Sequence, residues 1–246
     1  MKGANEMSVV LSPPQKKIRK GVSPETIKAI AKFVVQNEET EGVVLQNVAW
    51  KTYEQILRDL DGANNPRFFY DKGELLVMPN SPEHEEIKDT ITYLINILCE
   101  EFEIEGRSFG STTYQRADLR RGFEPDSCFY FGENEKKMRG VKRLDMSQHS
   151  APDLVIEVDI TSSSFDRLSI FASFGVKEIW RYDGEIMEIG KLEGDVYLKS
   201  ETSEIFSGVS ADKLTEFVQL SDKLSRLDWQ KEVRTWAREI KVKSKK

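Results

Sequence analysis

Apolar residues recur every three or four positions in three stretches of the chain, which is the period of an amphipathic helix. Two of these stretches open with a Ser-Pro pair, at 23–24 and 81–82, which places a capping serine before a proline at the first helical position. The first helix is expected to end before Gly42, and the second covers residues 50–60. The predicted buried stripes are Ile27, Ile30, Ala31 and Val34, then Tyr53, Ile56, Leu57 and Leu60, then Ile87, Ile91, Leu94, Ile95 and Leu98.

Short apolar runs separated by turn residues predict β-strands elsewhere. "RFFY", the turn "DKG" and "ELLVM" form a hairpin signal at 67–78, and a charged loop is expected over 132–150. Serines 162–164 are expected to cap a short helix closed by Gly175. The segment from about 211 onward is predicted to be helical with a long charged end. The predicted strands are 43–48, 67–70, 74–78, several within 107–131, 154–159, 178–182, 185–192 and 196–200.

The order strand, helix, strand over 154–182 predicts a βαβ-like crossover within a mixed sheet. We therefore expect an α/β fold on the border of α+β, with a central mixed sheet flanked by helices. Residues 1–22 are predicted to be a flexible tail, 23–205 the main domain, and 206–246 a helical extension of that domain.

Composition is that of an ordinary soluble protein, with 246 residues, 39% hydrophobic and 32% charged. No apolar stretch approaches the roughly 18 to 20 residues of a membrane span, and the first residues make a poor signal peptide, so a cytoplasmic location is expected. Cys99 and Cys128 lack the spacing of a zinc site and are expected to be buried thiols. The net charge of -6 argues against strong non-specific DNA binding, although basic runs at both ends and at 135–143 leave room for a local basic groove.

Carboxylates interrupt the otherwise apolar run "DLVIEVD" at 153–159. Residues two apart in a strand share a face, so Glu157 and Asp159 face one way and Leu154, Ile156 and Val158 the other. Buried carboxylates are unfavourable unless they are paired, hydrated or bound to metal.

Two further charged residues, one before and one after, flank this strand in the sequence. Asp126 begins a strand in "EPDSCFYF", Glu157 follows 31 residues later, and Arg167 lies in the first turn of the next helix. Two neighbouring carboxylates with a cation are the components of a metal-dependent hydrolase. Ion pairing of the carboxylates with Arg167 or Arg181 explains the same residues equally well.

An acidic "PD" strand followed by "EVD" resembles the PD-(D/E)XK nuclease superfamily, and more closely the Uma-two-type restriction endonuclease family. The motifs that carry the resemblance span about 43–200, in order: "VAWKTYEQILRDL", "FFYDKGELLVMPNSPEHEEI", "GFEPDSCFY", "APDLVIEVDITSSS" and "GVKEIWRYDG". The resemblance implies a restriction-endonuclease-like fold and Mg²⁺-dependent hydrolysis of DNA phosphodiester bonds, with Mn²⁺ able to substitute and a homodimer as the acting form.

The resemblance also assigns residues. Asp126 and Glu157 match the two metal-binding acids, and Glu85 matches a helix glutamate that completes the metal site in some members. Asp159 stands where the usual motif has lysine, and Arg167 stands at the position to which that lysine has migrated. Arginine stays protonated and can stabilise phosphate, but it is a poor base.

Other candidates have simpler explanations. Glu85 is equally well explained as a helix N-terminal charge, and for His84 capping or packing is favoured over catalysis. Arg116, Arg120 and Arg121 are candidates for DNA backbone contacts or are ordinary surface charges.

The sequence therefore favours a metal-dependent DNA endonuclease with Asp126, Glu157 and Arg167 as its catalytic group. The alternative is a catalytically impaired nucleic-acid-binding or scaffold protein that keeps the fold. A carboxylate-pair hydrolase of another substrate is a third reading, which the absence of an aromatic-rich carbohydrate cleft disfavours.

Overall fold

The computed structural model describes residues 23–36, 42–60, 65–160 and 165–244, with side chains described to residue 242. The predicted tail at 1–22 and the serines at 162–164 lie outside these ranges. The helices are α1 (Pro24–Gln36), α2 (Trp50–Asp59), α3 (Pro82–Phe102), α4 (Gly132–Met138), α5 (Arg167–Phe174), α6 (Ala211–Leu220) and α7 (Arg226–Ser244). The strands are β1 (Val43–Leu45), β2 (Arg67–Asp71), β3 (Glu74–Met78), β4 (Gly106–Ser108), β5 (Tyr114–Arg116), β6 (Arg121–Phe123), β7 (Ser127–Phe131), β8 (Leu154–Val158), β9 (Glu178–Tyr182), β10 (Met187–Glu193) and β11 (Val196–Ser200).

The larger sheet has six strands in the order β11-β10-β9-β8-β7-β4. β8 and β9 run parallel, and the remaining neighbours are antiparallel. A parallel pair needs a crossover connection, and α5 lies within it. The predicted βαβ crossover and the mixed central sheet are therefore confirmed.

A second, antiparallel sheet has the order β1-β3-β2-β6-β5. It contains the predicted β2–β3 hairpin. The β region at 107–131 divides between the two sheets, because β4 and β7 join the larger sheet and β5 and β6 join the smaller one. Gly122 in β6 lies under α2, where an added Cβ would clash with the Tyr53 hydroxyl.

The two faces of β8 enter different cores, as the alternation in the sequence predicts. Leu154, Ile156 and Val158 pack in a cluster with residues of α3, α6 and α7. Val155 packs on the other face, in a cluster that includes Phe171 of α5. The acidic residue of β8, Glu157, is on the Val155 side, the face on which α5 packs.

The predicted loop over 132–150 is wrong at its start, because residues 132–138 form α4. Its charged sequence hides a buried face: Glu135 is buried between Arg107 and Arg139, with N–O distances of 2.9 and 2.8 Å, and Met138 is also buried. The ion pair with Arg107 of β4 thus neutralises the charge of Glu135, which the sequence alone predicts to be exposed.

Helix α5 begins later than predicted, and its observed cap is Asp166. The Asp166 carboxylate accepts a hydrogen bond from the Ser169 amide at 3.1 Å, and Gly175 ends the helix in a left-handed conformation, as expected. This cap makes Arg167 the first residue of the helix. The observed start of α5 is therefore the candidate cation itself.

The C-terminal segment forms two helices, α6 and α7, with a break at 221–225. α7 packs along α3, and Arg238 pairs with Glu101 at 2.8 Å. Cys99 and Cys128 are free thiols, and only Cys128 is fully buried. Within the part of the chain that the structure describes, none of the helices has the length and apolar character of a membrane span.

Candidate active site

Asp126 and Glu157 meet because of the register between β7 and β8. Ser127 pairs with Ile156 in this antiparallel ladder, so Asp126, the residue before β7, stands opposite Glu157. The Val158 amide donates a hydrogen bond to Asp126 Oδ2 at 2.6 Å. The proximity that the sequence predicted is therefore a consequence of strand pairing, with one carboxylate oxygen anchored to the neighbouring backbone.

Glu157 lies in the middle of the larger sheet and is almost completely buried. Its Oε2 accepts a hydrogen bond from Arg167 at 2.7 Å, while its Oε1 has no hydrogen-bond partner. Burial raises the pKa of Glu157 to about 8, the charge of Asp126 adds to this effect, and Arg167 opposes it. Burial is thus the main reason that Glu157 holds its proton more tightly than a glutamate in water.

Arg167 joins the carboxylates of β8. Its guanidinium lies 2.7 Å from Glu157 Oε2 and 2.5 Å from Asp159 Oδ2, and its side chain is buried. The ion-pair alternative from the sequence is therefore correct for Arg167, whereas Arg181 pairs with Glu188 instead. A guanidinium held between two carboxylates orients them and remains charged at any pH at which proteins fold.

Two further residues, Arg67 and His84, contact Asp126, and sequence reasoning assigned neither of them to the site. Arg67, at the start of β2, forms a buried ion pair with Asp126, and its Nε donates a hydrogen bond to Asn80 at 2.8 Å. His84 Nε2 lies 2.9 Å from Asp126 Oδ1 and 3.1 Å from the Arg67 guanidinium. The capping role expected for the His84 position is also present, because its amide donates to Ser81 Oγ at 3.1 Å. The available signals were an arginine opening the apolar strand "RFFY" and a histidine in the first turn of α3.

These two residues control the charge state of Asp126. Burial on its own would raise the pKa of Asp126, but the charge of Arg67 and the contact with His84 outweigh it, so the pKa is lowered. Asp126 therefore remains a carboxylate despite having no exposed surface. Glu124, two residues earlier, behaves differently: burial raises its pKa to about 7, and it accepts hydrogen bonds from the Phe68 amide and the Thr113 hydroxyl at 2.8 and 2.6 Å.

Glu85 lies at the rim of the site, on the first turn of α3. It is partly exposed and pairs with Lys88 at 2.5 Å, while its other oxygen is 3.7 Å from His84 Nδ1. Its position as a third metal ligand stays a prediction. A role of this kind requires Glu85 to leave Lys88.

Two of the three arginines near β5 and β6, Arg116 and Arg121, are already paired. Arg121 binds Asp71 and the Ser169 carbonyl, each at 2.8 Å, and is mostly buried. Arg116 pairs with Asp118 at 2.6 Å. Arg120 has a positive φ of 51° at the end of the β5–β6 turn. Contact of these arginines with DNA stays a prediction, and Arg121 would have to break internal bonds to make one.

The donor set is compatible with Mg²⁺ held by two carboxylates. Glu157 Oε1 is buried and accepts no hydrogen bond, so it keeps lone pairs for a cation, whereas Asp126 Oδ1 already faces Arg67 and His84. Among the described residues, no group of three or more His, Cys, Asp or Glu side chains is arranged to hold a metal ion. Two carboxylates suffice for Mg²⁺ in nucleotide enzymes, because water and substrate phosphate complete its shell.

The chain is similar to a known protein family and to solved structures. The family model Uma2, described as "Putative restriction endonuclease", matches residues 50–229. This range includes all the site residues described above: Arg67, His84, Asp126, Glu157, Asp159 and Arg167. Among solved structures, a putative nuclease belonging to DUF820 from Anabaena variabilis is 14% identical, with a TM-score of 0.46, over 67% of this chain and 97% of that chain. The sequence matches none of the curated proteins.

Proposed function

This chain belongs to the Uma2 family of putative restriction endonucleases, and from that membership we propose that it is a metal-dependent endonuclease that hydrolyses phosphodiester bonds in DNA. The observation that supports the proposal is the cross-strand pair of Asp126 and Glu157, in which Glu157 Oε1 is buried and accepts no hydrogen bond. A carboxylate oxygen in this condition is suited to a hard divalent cation.

Asp126 and Glu157 would hold Mg²⁺, and Mn²⁺ has the same preference for oxygen ligands. When bound, the metal lowers the pKa of a water molecule and neutralises charge that develops on the phosphate. Arg67 and His84 keep Asp126 ionised and fix the direction of its carboxylate. Arg167 holds Glu157 and Asp159 in place and adds positive charge beside the reacting phosphate. It does not serve as a base, because it cannot release its proton.

The alternative is a nucleic-acid-binding or scaffold protein of the same family with impaired catalysis. The observation that favours it is that the guanidinium of Arg167 is already occupied by ion pairs with Glu157 and Asp159. A lysine at this position would carry one compact charge and could lose a proton on burial. A homodimer, with α7 as one candidate surface, belongs to both proposals.

Cleavage of plasmid and linear DNA with Mg²⁺ or Mn²⁺ separates the two functions. We expect wild-type cleavage, at least a hundredfold loss in Asp126→Ala, and wild-type activity in Asp118→Ala, whose exposed carboxylate pairs only with Arg116 among the described contacts. Absence of wild-type cleavage, with activity appearing in Arg167→Lys, would refute the nuclease function and favour the binding protein. Cleavage that survives in Asp126→Ala would show that the metal site lies elsewhere.

A further inference from the structure

An open groove runs beside Asp126, between α3 and the segment that joins β4 to β5. Its volume is about 420 Å³, and Asp126 and Ser127 are among the residues that line it. Lys88, Asp89 and Thr92 of α3 also line it, as do residues 108–112. The groove thus combines a lysine and several hydroxyl groups with the carboxylate of Asp89 at the edge of the candidate active site.

Lys88 differs from the two arginines of the site in how firmly it is held. Arg67 and Arg167 are buried and pair with buried carboxylates. Lys88 is 21% exposed and pairs with Glu85 and Asp89, which are 41% and 69% exposed. Ion pairs with exposed partners contribute little to stability. An incoming anion can therefore take Lys88 from its partners, whereas it cannot take either arginine without stranding a buried charge.

The groove also offers neutral donors. Thr92 lines it, and the Thr92 hydroxyl is buried without a hydrogen-bond partner. Gly110 has a positive φ of 55°, and a Cβ at this position would meet no atom within 4 Å, so a ligand can approach the backbone there. The charge of Asp126 is countered by Arg67, while Asp89 pairs with Lys88 and is 69% exposed, so that water screens its charge. Both carboxylates that line the groove therefore have their charge compensated.

We propose that this groove binds a phosphate group of a nucleic-acid strand, with Lys88 as its cation and the Thr92 hydroxyl as a neutral donor. The inference rests on the proposed function, because it places the strand beside Asp126. A phosphodiester suits the groove since it carries a single charge and several acceptor oxygens, which one lysine and neighbouring hydroxyls satisfy. Lys88 then supplies a compact ammonium group that can leave its partners and bind the phosphate, whereas Arg167 is held by its buried carboxylate partners.

The test is equilibrium binding of the full chain to a fluorescein-labelled duplex of about 20 base pairs, and to one of its strands, by anisotropy in EDTA at salt concentrations from about 50 to 200 mM. Chelation prevents cleavage, so the readout is independent of activity. Lys88→Ala is expected to weaken binding about fivefold and to lower the slope of log K against log salt by about 1. Lys88→Arg, which keeps the charge, should retain the wild-type slope.

The matched control is Lys213→Ala. Lys213 forms the same kind of helical pair, with Glu216 three residues later at 2.6 Å, but lies on α6 outside the groove. We expect its affinity and salt slope to equal those of wild type. Wild-type affinity and slope in Lys88→Ala would overturn the proposal, as would equal losses in Lys88→Ala and Lys213→Ala.

Failure of the groove and failure of the proposed function give different results. If wild type cleaves DNA, Asp126→Ala does not, and Lys88→Ala binds like wild type, the nuclease stands and the groove proposal falls. If Lys88→Ala loses the salt slope while no variant cleaves with any metal, the groove stands and the nuclease falls. Absence of wild-type binding to either probe would overturn the groove proposal and leave the nuclease to the cleavage assay.

Discussion

Removing Arg67 should destabilise the protein far more than removing any arginine from its surface. Its side chain is 2% exposed, and it pairs with Asp126, which has no exposed side-chain surface. The substitution Arg67→Ala leaves that carboxylate buried without its main cation. Loss of one partner of a buried ion pair lowers the free energy of unfolding by about 3–5 kcal/mol. For a chain of this size, about 2–4 °C of melting temperature per kcal/mol translates this into a decrease of roughly 6–20 °C.

The measurement is urea denaturation at pH 7, followed by tryptophan fluorescence, because Trp180 and Trp229 are fully buried and report on the core. The control is Arg116→Ala, whose partner Asp118 is 62% exposed, and there we expect a loss below about 1 kcal/mol. Adding Asp126→Asn to the Arg67 variant removes the unbalanced charge and should recover part of the stability. Equal, small losses in Arg67→Ala and Arg116→Ala would refute the idea that Arg67 neutralises Asp126.

Two further predictions concern the frame around the site. Gly122→Ala should lower the free energy of unfolding by about 1–3 kcal/mol in the same urea assay, because the new methyl group clashes with Tyr53; an unchanged midpoint would mean that α2 moves away freely. Arg238, and after it Arg234, hold the pKa of Glu101 below its usual value, so the stability from this α3–α7 contact is present above about pH 4.5 and is lost as the pH falls through the lowered pKa. Urea midpoints from pH 6 to pH 3 should therefore fall more steeply for wild type than for Glu101→Gln, and parallel curves would contradict the assignment.

Local patterns in the sequence were sufficient for much of the secondary structure. The serine and proline at 81–82 and the apolar stripe that follows specify α3, because capping and helical period depend only on near neighbours. The alternation in 154–158 assigned the faces of β8 for the same reason. The same reasoning was wrong for α4, because the charged side chain of Glu135 is buried beside Arg107, which lies 28 residues earlier in the chain.

The sequence by itself determined most of the helices, the hairpin, the crossover and the nearness of Arg167 to Glu157, since only ten residues separate those two. Only the tertiary structure decided that Arg67 and His84 surround Asp126, which lies 59 and 42 residues beyond them. These contacts require the smaller sheet, α3 and β7 to converge, and nothing in their local sequence encodes that arrangement. The same holds for Lys88, whose chemistry is ordinary on a helix and becomes distinctive only because folding places it in one groove with Asp126.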